Sequence, residues 1–410
     1  MSEKVLLVVI DFRKTRDWPL KDVADELHGL VTSCGGEVVD IVLCKSIDPN
    51  PTFLIGEGKV KEIAETCLTK DIETVIFSQD LKGSQQRNLE EAFDTKTIDR
   101  TQLILDIFAK RATSQEGKMQ VELAQLEYLL PRMTGKGIEL SRLGGGIGTS
   151  GPGETKLEVD RRRVNQRITK LKRELEEVSA ARKVKRKKRQ ENKVPTISLV
   201  GYTNAGKSTL LNALTDAHQE TKDGLFTTLD PLSRQYVLPN HQKVIFSDTV
   251  GFMHHLPHKL IEAFKATLEE VIEADLLLHV VDVSHTKFRD YHDSVLEVLK
   301  ELGAEHKKVI TVFNKIDNVE QREGLKDLAD SFENAVFISA KTKENVDALV
   351  EKVQEIIAGA LVEINIDIPL NRMDLVSLIH REGNMHKIEY LSDKIRISAT
   401  VPPKIVSKFQ

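Results

Sequence analysis

Short apolar runs alternate with amphipathic stretches through the first part of the chain. The runs have the length of β-strands and lie at residues 5–10, 38–44 and 74–77. Helical periodicity fills the intervals, at residues 20–32, 59–70 and 84–93. Strands that alternate with helices in this way form a parallel sheet with right-handed crossovers. The pattern therefore predicts a small α/β domain over residues 1–115.

The hydrophobic period then changes to that of a coiled coil. Apolar side chains recur with heptad spacing in two stretches, at Met119, Leu123, Leu126 and Leu130 and then at Leu157, Val164, Ile168, Leu171, Leu175 and Val178. We interpret residues 116–193 as a helical coiled-coil hairpin whose two helices pack in antiparallel orientation. The connection between them, residues 131–153, forms the tip.

This connection contains a glycine-rich loop, residues 144–153. Gly146, Gly148 and Gly151 have the GxGxxG spacing of dinucleotide-binding proteins, but no apolar strand precedes them and Pro152 interrupts the entry to the next helix. The loop is either a turn or a surface whose backbone amides approach phosphate or RNA. Its length favours the second interpretation, because helix-to-helix connections are usually shorter.

Alternating strands and helices return after Pro195. They predict a second α/β domain with a mainly parallel sheet over residues 194–360. A strand at 362–369, a helix at 373–380 and one or two strands within 387–401 then predict a small C-terminal α/β domain, residues 361–410. The expected fold class is thus α/β throughout, with the helical hairpin inserted between the first two sheets.

Composition places the chain among soluble globular proteins and reveals one charge asymmetry. The net charge is −4 over 410 residues, yet residues 161–189 carry fourteen Lys/Arg against three Glu, a local charge of +11. A solvated helix face is the usual explanation of such a run. The continuous basic segment 185–189 favours a polyanion partner such as nucleic acid.

Cysteine usage and hydropathy indicate a cytoplasmic location. The three cysteines, Cys34, Cys44 and Cys67, show no CxxC spacing, so neither a disulfide framework nor a zinc site is supported. The longest apolar run is residues 5–10, far below the roughly 20 residues that span a membrane. No transmembrane segment or signal peptide is predicted, which leaves peripheral membrane contact open.

A phosphate-binding motif follows the strand at 196–200. The sequence is Gly201-Tyr202-Thr203-Asn204-Ala205-Gly206-Lys207-Ser208-Thr209, which is GxxxxGK[ST] between a strand and a helix. The glycines let backbone amides surround the phosphates. Lys207 would reach the β- and γ-phosphates, and the hydroxyl of Ser208 would bind Mg²⁺.

Three further motifs follow in the order of a guanine-nucleotide-binding domain: Asp248-Thr249-Val250-Gly251, Asn314-Lys315-Ile316-Asp317 and Ser339-Ala340-Lys341. Asp248 would lie near Mg²⁺ and the amide of Gly251 near the γ-phosphate. The carboxylate of Asp317 can accept hydrogen bonds from N1–H and N2–H₂ of guanine, which adenine cannot supply. The amide of Ala340 can donate to guanine O6.

A loop with two hydroxyl groups supplies the remaining candidates: Phe226-Thr227-Thr228-Leu229-Asp230. We expect Thr228 to be the second side-chain ligand of Mg²⁺, with Thr227 as its nearest competitor. The predicted Mg²⁺ ligands are therefore Ser208, Thr228 and Asp248, and the groups expected to act on the transferred phosphoryl group are Lys207, Thr228 and Gly251. All residues of the five motifs are assigned to binding GTP and GDP, apart from Ile316.

The residue after Gly251 bears on catalysis. Ras-like enzymes commonly place there a glutamine that orients the attacking water. Phe252 cannot orient water by hydrogen bonding. We therefore expect slow basal hydrolysis and a site completed by a partner, a mobile loop or a monovalent cation. Asn204 resembles the residue that helps to hold K⁺ in some translation-type GTPases, although Asn also suits a plain turn.

Beyond these motifs, the chain resembles the HflX family of GTPases. The resemblance rests on residues 117–132 (GKMQVELAQLEYLLPR), on the string GGGIGTSGPGETKLE within residues 143–158, on residues 226–231 and on residues 248–252. It implies a ribosome-associated GTPase that binds the large ribosomal subunit and its rRNA, with a role in splitting, rescuing or recycling ribosomes under stress. We expect a monomer without DNA binding. Ser150 and Lys156 depart from the residues common in the family, which affects only loop contacts.

Two alternatives remain. The hairpin could be a constitutive RNA clamp whose affinity is tuned by nucleotide. Alternatively, the protein could be an accessory GTPase in RNA remodelling or modification, acting on free RNA rather than on ribosomes.

Overall fold

A computed structural model describes most of the chain as three β-sheets with associated helices. The described residues are 2–12, 19–46, 48–133, 156–191, 194–215, 225–226, 228–253, 265–320, 322, 324–329, 331–358, 362–391, 393–401 and 403–406. The predicted glycine-rich loop, Thr227, and His254 and His255 after the Asp248 motif lie outside them. Among the described helices, none combines the length and apolar character needed to cross a membrane.

The N-terminal sheet has four parallel strands in the order β2-β1-β3-β4. Its elements are β1 (Lys4–Phe12), α1 (Leu20–Cys34), β2 (Glu37–Ser46), α2 (Glu57–Lys70), β3 (Thr74–Phe77), α3 (Gly83–Phe93), β4 (Lys96–Asp99) and α4 (Arg100–Arg111). The predicted α/β domain is confirmed. β4 and α4 were not predicted, because a four-residue strand that runs directly into a helix shows no separate period.

Two long helices follow, α5 (Gln115–Leu129) and α6 (Lys156–Glu191). Their heptad residues pack as predicted: Leu123, Ile168 and Leu171 form a buried cluster flanked by Met119, Leu126, Leu130, Val164 and Leu175. The seam between the two helices is therefore present.

The predicted antiparallel orientation of this pair is wrong. Glu122 binds Arg167 through two hydrogen bonds of 2.6 Å, and five residues further along both helices Glu127 pairs with Lys172 at 2.8 Å. Partners that advance together along both helices require the helices to run in the same direction. The segment between Met133 and Lys156 is long enough to return to the start of α5, so the usual rule that short connections give antiparallel neighbours does not apply.

The second sheet has six strands in the order β10-β9-β8-β5-β7-β6. Its elements are β5 (Thr196–Gly201), α7 (Lys207–Thr215), β6 (Leu232–Val237), β7 (Lys243–Asp248), α8 (Lys265–Glu273), β8 (Leu276–Asp282), α9 (Phe288–Glu301), β9 (Lys308–Asn314), α10 (Gly324–Ala329), β10 (Ala335–Phe337) and α11 (Val346–Ala358). All neighbours are parallel except β6 and β7. The mainly parallel sheet is thus confirmed.

The C-terminal sheet is antiparallel, in the order β11-β13-β12. It comprises β11 (Val362–Pro369), α12 (Met373–Glu382), β12 (Asn384–Tyr390), β13 (Lys394–Val401) and α13 (Pro403–Val406). Alternate residues of β13, including Ile395 and Ile397, are buried in a core of aliphatic side chains. The expected small α/β region is present.

Contacts group the described chain into two compact units. Residues up to 180 and residues 225–230 belong to the first, whereas residues 181–215, 231–253 and 266–406 belong to the second. Residues 225–230 thus join the first unit although they follow the P-loop in sequence. The four predicted domain boundaries stay a prediction.

A buried ion pair fastens the end of α5 to the N-terminal sheet. The guanidinium of Arg132 donates to Asp99 Oδ2 at 3.0 Å and to the carbonyl oxygen of Leu81 at 2.6 Å, and it lies 3.4 Å from the ring centroid of Tyr128. Asp99 is fully buried and also accepts from the amides of Leu81 and Gln102. Burial raises the pKa of the Asp99 carboxyl despite these donors.

We expect Arg132→Met to lower the free energy of unfolding of the first unit by about 3 kcal/mol, because the buried charge of Asp99 would lose its counterion. Urea denaturation of the full chain, followed by hydrogen exchange of β4, measures this loss. Arg372→Met is the matched control, since Arg372 pairs with Asp374 on an exposed surface and should leave stability unchanged. Equal stability of both variants would contradict the structural role of Arg132.

Candidate nucleotide-binding site

The phosphate loop lies between the carboxyl end of β5 and the start of α7. This is the strand–loop–helix arrangement that the motif predicts. Asn204 has a left-handed φ of 61° and Gly206 a φ of 96°. A methyl group at Gly206 would overlap Nδ2 of Asn314, so glycine is required there for steric as well as conformational reasons.

Lys207 is held by the loop that precedes it. Its ammonium group is buried and donates to the carbonyl oxygens of Gly201 (3.1 Å) and Tyr202 (2.9 Å). Burial lowers the pKa of Lys207 to about 8, and the charge of Asp248 partly opposes this shift. A cation held without a full counter-charge attracts anions, which suits a group that binds the β- and γ-phosphates.

Two of the three predicted Mg²⁺ ligands meet in the structure. The hydroxyl of Ser208 donates to Asp248 Oδ2 at 2.6 Å, and both side chains are buried. A hydroxyl and a carboxylate are oxygen ligands of the kind that Mg²⁺ prefers. The residues of this pair fit the metal.

The segment that contains Gly251 and Phe252 pairs with the phosphate loop. The amide of Phe252 donates to Gly201 O at 3.0 Å, and the amide of Thr203 donates to Phe252 O at 2.8 Å. A Cβ atom at Gly251 would come within 2.8 Å of Thr203 Cα, so only glycine fits. Phe252 is 1% exposed, and its ring is therefore part of the core.

The remaining residues of the Asp248 motif are also buried. Thr249 donates to the carbonyl oxygen of Leu199 at 2.6 Å, and Val250 is 2% exposed. Thr209 lies in the first turn of α7 and is half-buried.

Asn314 joins two of the predicted loops. Its Nδ2 donates to the carbonyl oxygen of Ala205 at 2.8 Å, and its Oδ1 accepts from the amide of Ala340 at 2.9 Å. The Ala340 amide, which we expected to serve guanine O6, therefore donates to a side chain of the protein. The assignment of this amide to guanine O6 stays a prediction, and the motif alone could not reveal the acceptor that β9 places beside it.

The other base-recognition residues differ in their contacts and burial. Lys315 has a left-handed φ of 65° and pairs with Asp282 at 2.7 Å. Ser339 is fully buried and accepts from the amide of Thr342 at 3.1 Å, while Lys341 is exposed. Asp317 Oδ1 is a buried oxygen with no hydrogen-bond partner among the described residues. A buried acceptor of this kind fits the N–H groups of guanine.

The predicted loop 226–230 lies in the first unit. Phe226, Thr228 and Leu229 are buried, with exposures of 2%, 6% and 5%. The carboxylate of Asp230 accepts hydrogen bonds from Thr113 and Ser114. Ser208 and Asp248 belong to the second unit, so the role of Thr228 as their partner on Mg²⁺ stays a prediction.

Three contacts of the motif residues were not predicted. Tyr202 stacks on Tyr291 of α9 with centroids 4.1 Å apart, Lys315 pairs with Asp282, and Asp230 binds the start of α5. Each joins residues far apart in sequence. The only local signal was Ser114, a favourable N-cap residue three positions before Gly117.

Together, these residues can bind a guanine nucleotide and stabilise charge on its phosphates. Comparison with known proteins supports this chemistry along the whole chain. Residues 21–109 match the family described as GTP-binding GTPase N-terminal, residues 111–189 the GTP-binding GTPase middle region, residues 196–315 the 50S ribosome-binding GTPase family and residues 324–399 the HflX C-terminal domain.

Curated relatives match over nearly the full length. GTPase HflX of Lacrimispora saccharolytica is 45% identical over 405 residues, covering 99% of this chain and 95% of the relative. GTPase HflX of Escherichia coli is 40% identical over 406 residues, covering 99% and 94%. A solved GTP-binding protein of Sulfolobus solfataricus in complex with GDP is 26% identical, with a TM-score of 0.45, over 87% of this chain and 99% of that one. The sequence motifs, the family matches and the two curated HflX relatives show that the chain is a GTPase and belongs to the HflX family.

Proposed function

We propose that this GTPase binds the large ribosomal subunit and hydrolyses GTP to GDP and phosphate there, in ribosome splitting, rescue or recycling under stress. The observation that carries the proposal is the match of residues 196–315 to the 50S ribosome-binding GTPase family. We further propose that the protein is cytoplasmic and monomeric and that its nucleic-acid partner is rRNA rather than DNA.

The basic strip supports contact with rRNA. Arg161, Arg162 and Arg163 are exposed at the start of α6, and Lys170 and Arg173 are exposed further along the same helix. Arg167 and Lys172 of this helix form ion pairs with Glu122 and Glu127 of α5. The exposed arginines and lysines give the helix the positive surface that phosphate backbones bind.

Mg²⁺ is the metal we assign to the site, with Ser208 and Asp248 as ligands that meet and Thr228 as the proposed third. When bound by these side chains, Mg²⁺ would supply positive charge that neutralises the charge developing on the phosphates during transfer. Lys207 and the amides of residues 202–206 would hold the phosphates, and the Gly251 amide would donate to the γ-phosphate. Asp317 would select guanine.

The buried ring of Phe252 supports a requirement for the ribosome. Because this side chain lies in the core, the position that often orients the attacking water supplies no hydrogen bond. We propose that the large subunit, acting on the protein from outside, completes the catalytic arrangement. A K⁺ ion near Asn204 is a second proposed contribution, since that side chain is exposed in a left-handed turn of the phosphate loop.

Purified large subunits are therefore expected to raise the rate of GTP hydrolysis by on the order of 10²-fold, the usual contribution of one positioned acid–base or water-orienting group. Phosphate release is measured in Mg²⁺ and K⁺ with large subunits, with small subunits as the control, and again with Na⁺ in place of K⁺.

Normal GTP binding without stimulation by either subunit would contradict ribosome-timed hydrolysis. Tight binding to free RNA comparable with binding to large subunits would instead favour an RNA clamp or a remodelling protein, which the +11 strip also suits. An unchanged rate after the exchange of K⁺ for Na⁺ would remove the K⁺ site.

A further inference from the structure

The segment that carries Thr228 is fastened to the first turn of α5. Asp230 accepts four hydrogen bonds there: from the amide (2.9 Å) and hydroxyl (2.7 Å) of Thr113 and from the amide (2.8 Å) and hydroxyl (2.5 Å) of Ser114. All four donors converge on the two carboxylate oxygens of Asp230. Hydrogen bonds to a charged acceptor are roughly twice as strong as neutral ones.

The first turn of α5 is shaped for this carboxylate. Ser114 is the N-cap residue, and its hydroxyl also accepts from the amide of Gly117 at 2.9 Å. A Cβ atom at Gly117 would overlap Oδ1 of Asp230. Glycine, a weak helix former, is therefore explained at this position by an aspartate more than a hundred residues later.

One aromatic contact and one hydrogen bond fix the other end of the segment. Phe226 is buried and packs edge-on against Phe108 of α4, with centroids 4.8 Å apart. The amide of Leu225 donates to Ser33 Oγ of α1 at 2.9 Å. In sequence, Thr228 lies between Phe226 and Asp230, and both of these residues are held by contacts with the first unit. Its backbone is therefore restrained from both sides.

The backbone of Phe226 is also strained. Its φ of 57° lies in the left-handed region, which a bulky side chain rarely adopts. Such conformations persist only where surrounding contacts enforce them, and they concentrate in switch regions. The contacts of Phe108, Ser33 and the α5 turn supply that enforcement.

We propose that Thr113, Ser114 and Gly117 are positioning residues for GTP hydrolysis: through Asp230 they hold Thr228 in the conformation that binds Mg²⁺. The inference rests on the proposed role of Thr228. Thr228 is two residues from Asp230, and each residue of chain spans at most ~3.6 Å, so fixing the carboxylate confines the threonine. Pre-organised ligands bind a metal more tightly because less freedom is lost on binding.

The coupling acts in both directions. If the fastened segment favours Mg²⁺ with GTP, then Mg²⁺ with GTP must stabilise the fastened segment by the same factor. Within the first unit, α5 also packs against the basic helix α6 through the seam described above.

The first experiment measures how Mg²⁺ supports binding of a fluorescent, non-hydrolysable GTP analogue to the full chain. Asp230→Asn, Gly117→Ala and Ser114→Ala are each expected to raise the Mg²⁺ concentration at half-saturation by about 5- to 50-fold. GDP binding in EDTA should not change. Ser114→Thr should restore the parent value, because it keeps the hydroxyl. Ser294→Ala, which removes an exposed helix hydroxyl on α9, is the matched control.

A second readout does not depend on nucleotide affinity. The amides of Thr113 and Ser114 donate to Asp230, so their hydrogen-exchange protection reports whether the segment is fastened. Protection should be greater with Mg²⁺ and the GTP analogue than with GDP. Thr228→Ala should abolish that difference while leaving the protection with GDP in place.

The outcomes separate this inference from the proposed function. If Thr228→Ala raises the Mg²⁺ requirement but Asp230→Asn and Gly117→Ala do not, Thr228 is a ligand and the positioning role is wrong. If Thr228→Ala leaves the Mg²⁺ requirement unchanged, the ligand assignment itself fails. Lower protection of Thr113 and Ser114 with the GTP analogue would show that the active state releases the segment, which also overturns the inference.

Discussion

Replacing Asp317 with Asn is expected to reduce GTP affinity by about 10³-fold and to make XTP a better ligand than GTP, since sites built around one hydrogen-bond polarity reject the other strongly. Asp317 Oδ1 is a buried acceptor without a partner among the described residues. The N1–H and N2–H₂ groups of guanine would satisfy it. The amide N–H groups of an asparagine would face the N–H groups of guanine, and two sets of donors cannot hydrogen-bond. Xanthine carries a carbonyl oxygen in place of the 2-amino group of guanine, and this oxygen can accept from the asparagine amide.

Competition between GTP and XTP for binding to the full-length variant measures this change in nucleotide preference. Asp347→Asn removes the same charge from an exposed position in the first turn of α11 and should leave the preference for GTP intact. A variant at Asp317 that still prefers GTP would show that other groups read the base, with the Asn314 and Ala340 loops as the next candidates.

Lys207→Ala is expected to lower the rate of GTP hydrolysis by about 10³-fold or more, with or without large subunits, because it removes the positive charge that we propose stabilises the transferred phosphoryl group. The loss corresponds to roughly 4 kcal/mol of transition-state stabilisation. The variant also removes the donor that holds the carbonyl oxygens of Gly201 and Tyr202. Both effects act on the phosphate loop.

Single-turnover phosphate release measures the loss, and guanine-nucleoside binding shows whether the base pocket is still formed. Lys300→Ala, at an exposed position near the end of α9, is the matched control. Retained subunit-stimulated hydrolysis in Lys207→Ala would contradict the assignment of the phosphate loop.

The sequence predicted those parts of the site that depend on local spacing. The strand, loop and helix around Gly206 and Lys207 form as expected. The apolar strand residues and the glycines that the loop requires both lie within one short segment of sequence. The heptads of the helix pair likewise predicted the residues that pack in the seam, except that Leu157 and Val178 are not part of this cluster.

Long-range partners could not be predicted in this way. The Ala340 amide meets Asn314, and Asp230 meets Ser114, because packing brings together residues that no short motif connects. The orientation of α5 and α6 failed for a related reason. A heptad seam specifies which faces meet but not the direction of the two chains, which a long connection leaves undetermined.

Phe226 and Asp230 have a consequence for how the chain becomes folded during synthesis. The first unit closes part of its core with Phe226 and satisfies the start of α5 with Asp230, and both are made after the phosphate loop. A nascent chain that has reached residue 193 therefore still lacks the ring that packs on Phe108 and the acceptor for the donors of Thr113 and Ser114. The contacts of the first unit can be completed only after synthesis of the GTPase domain has begun.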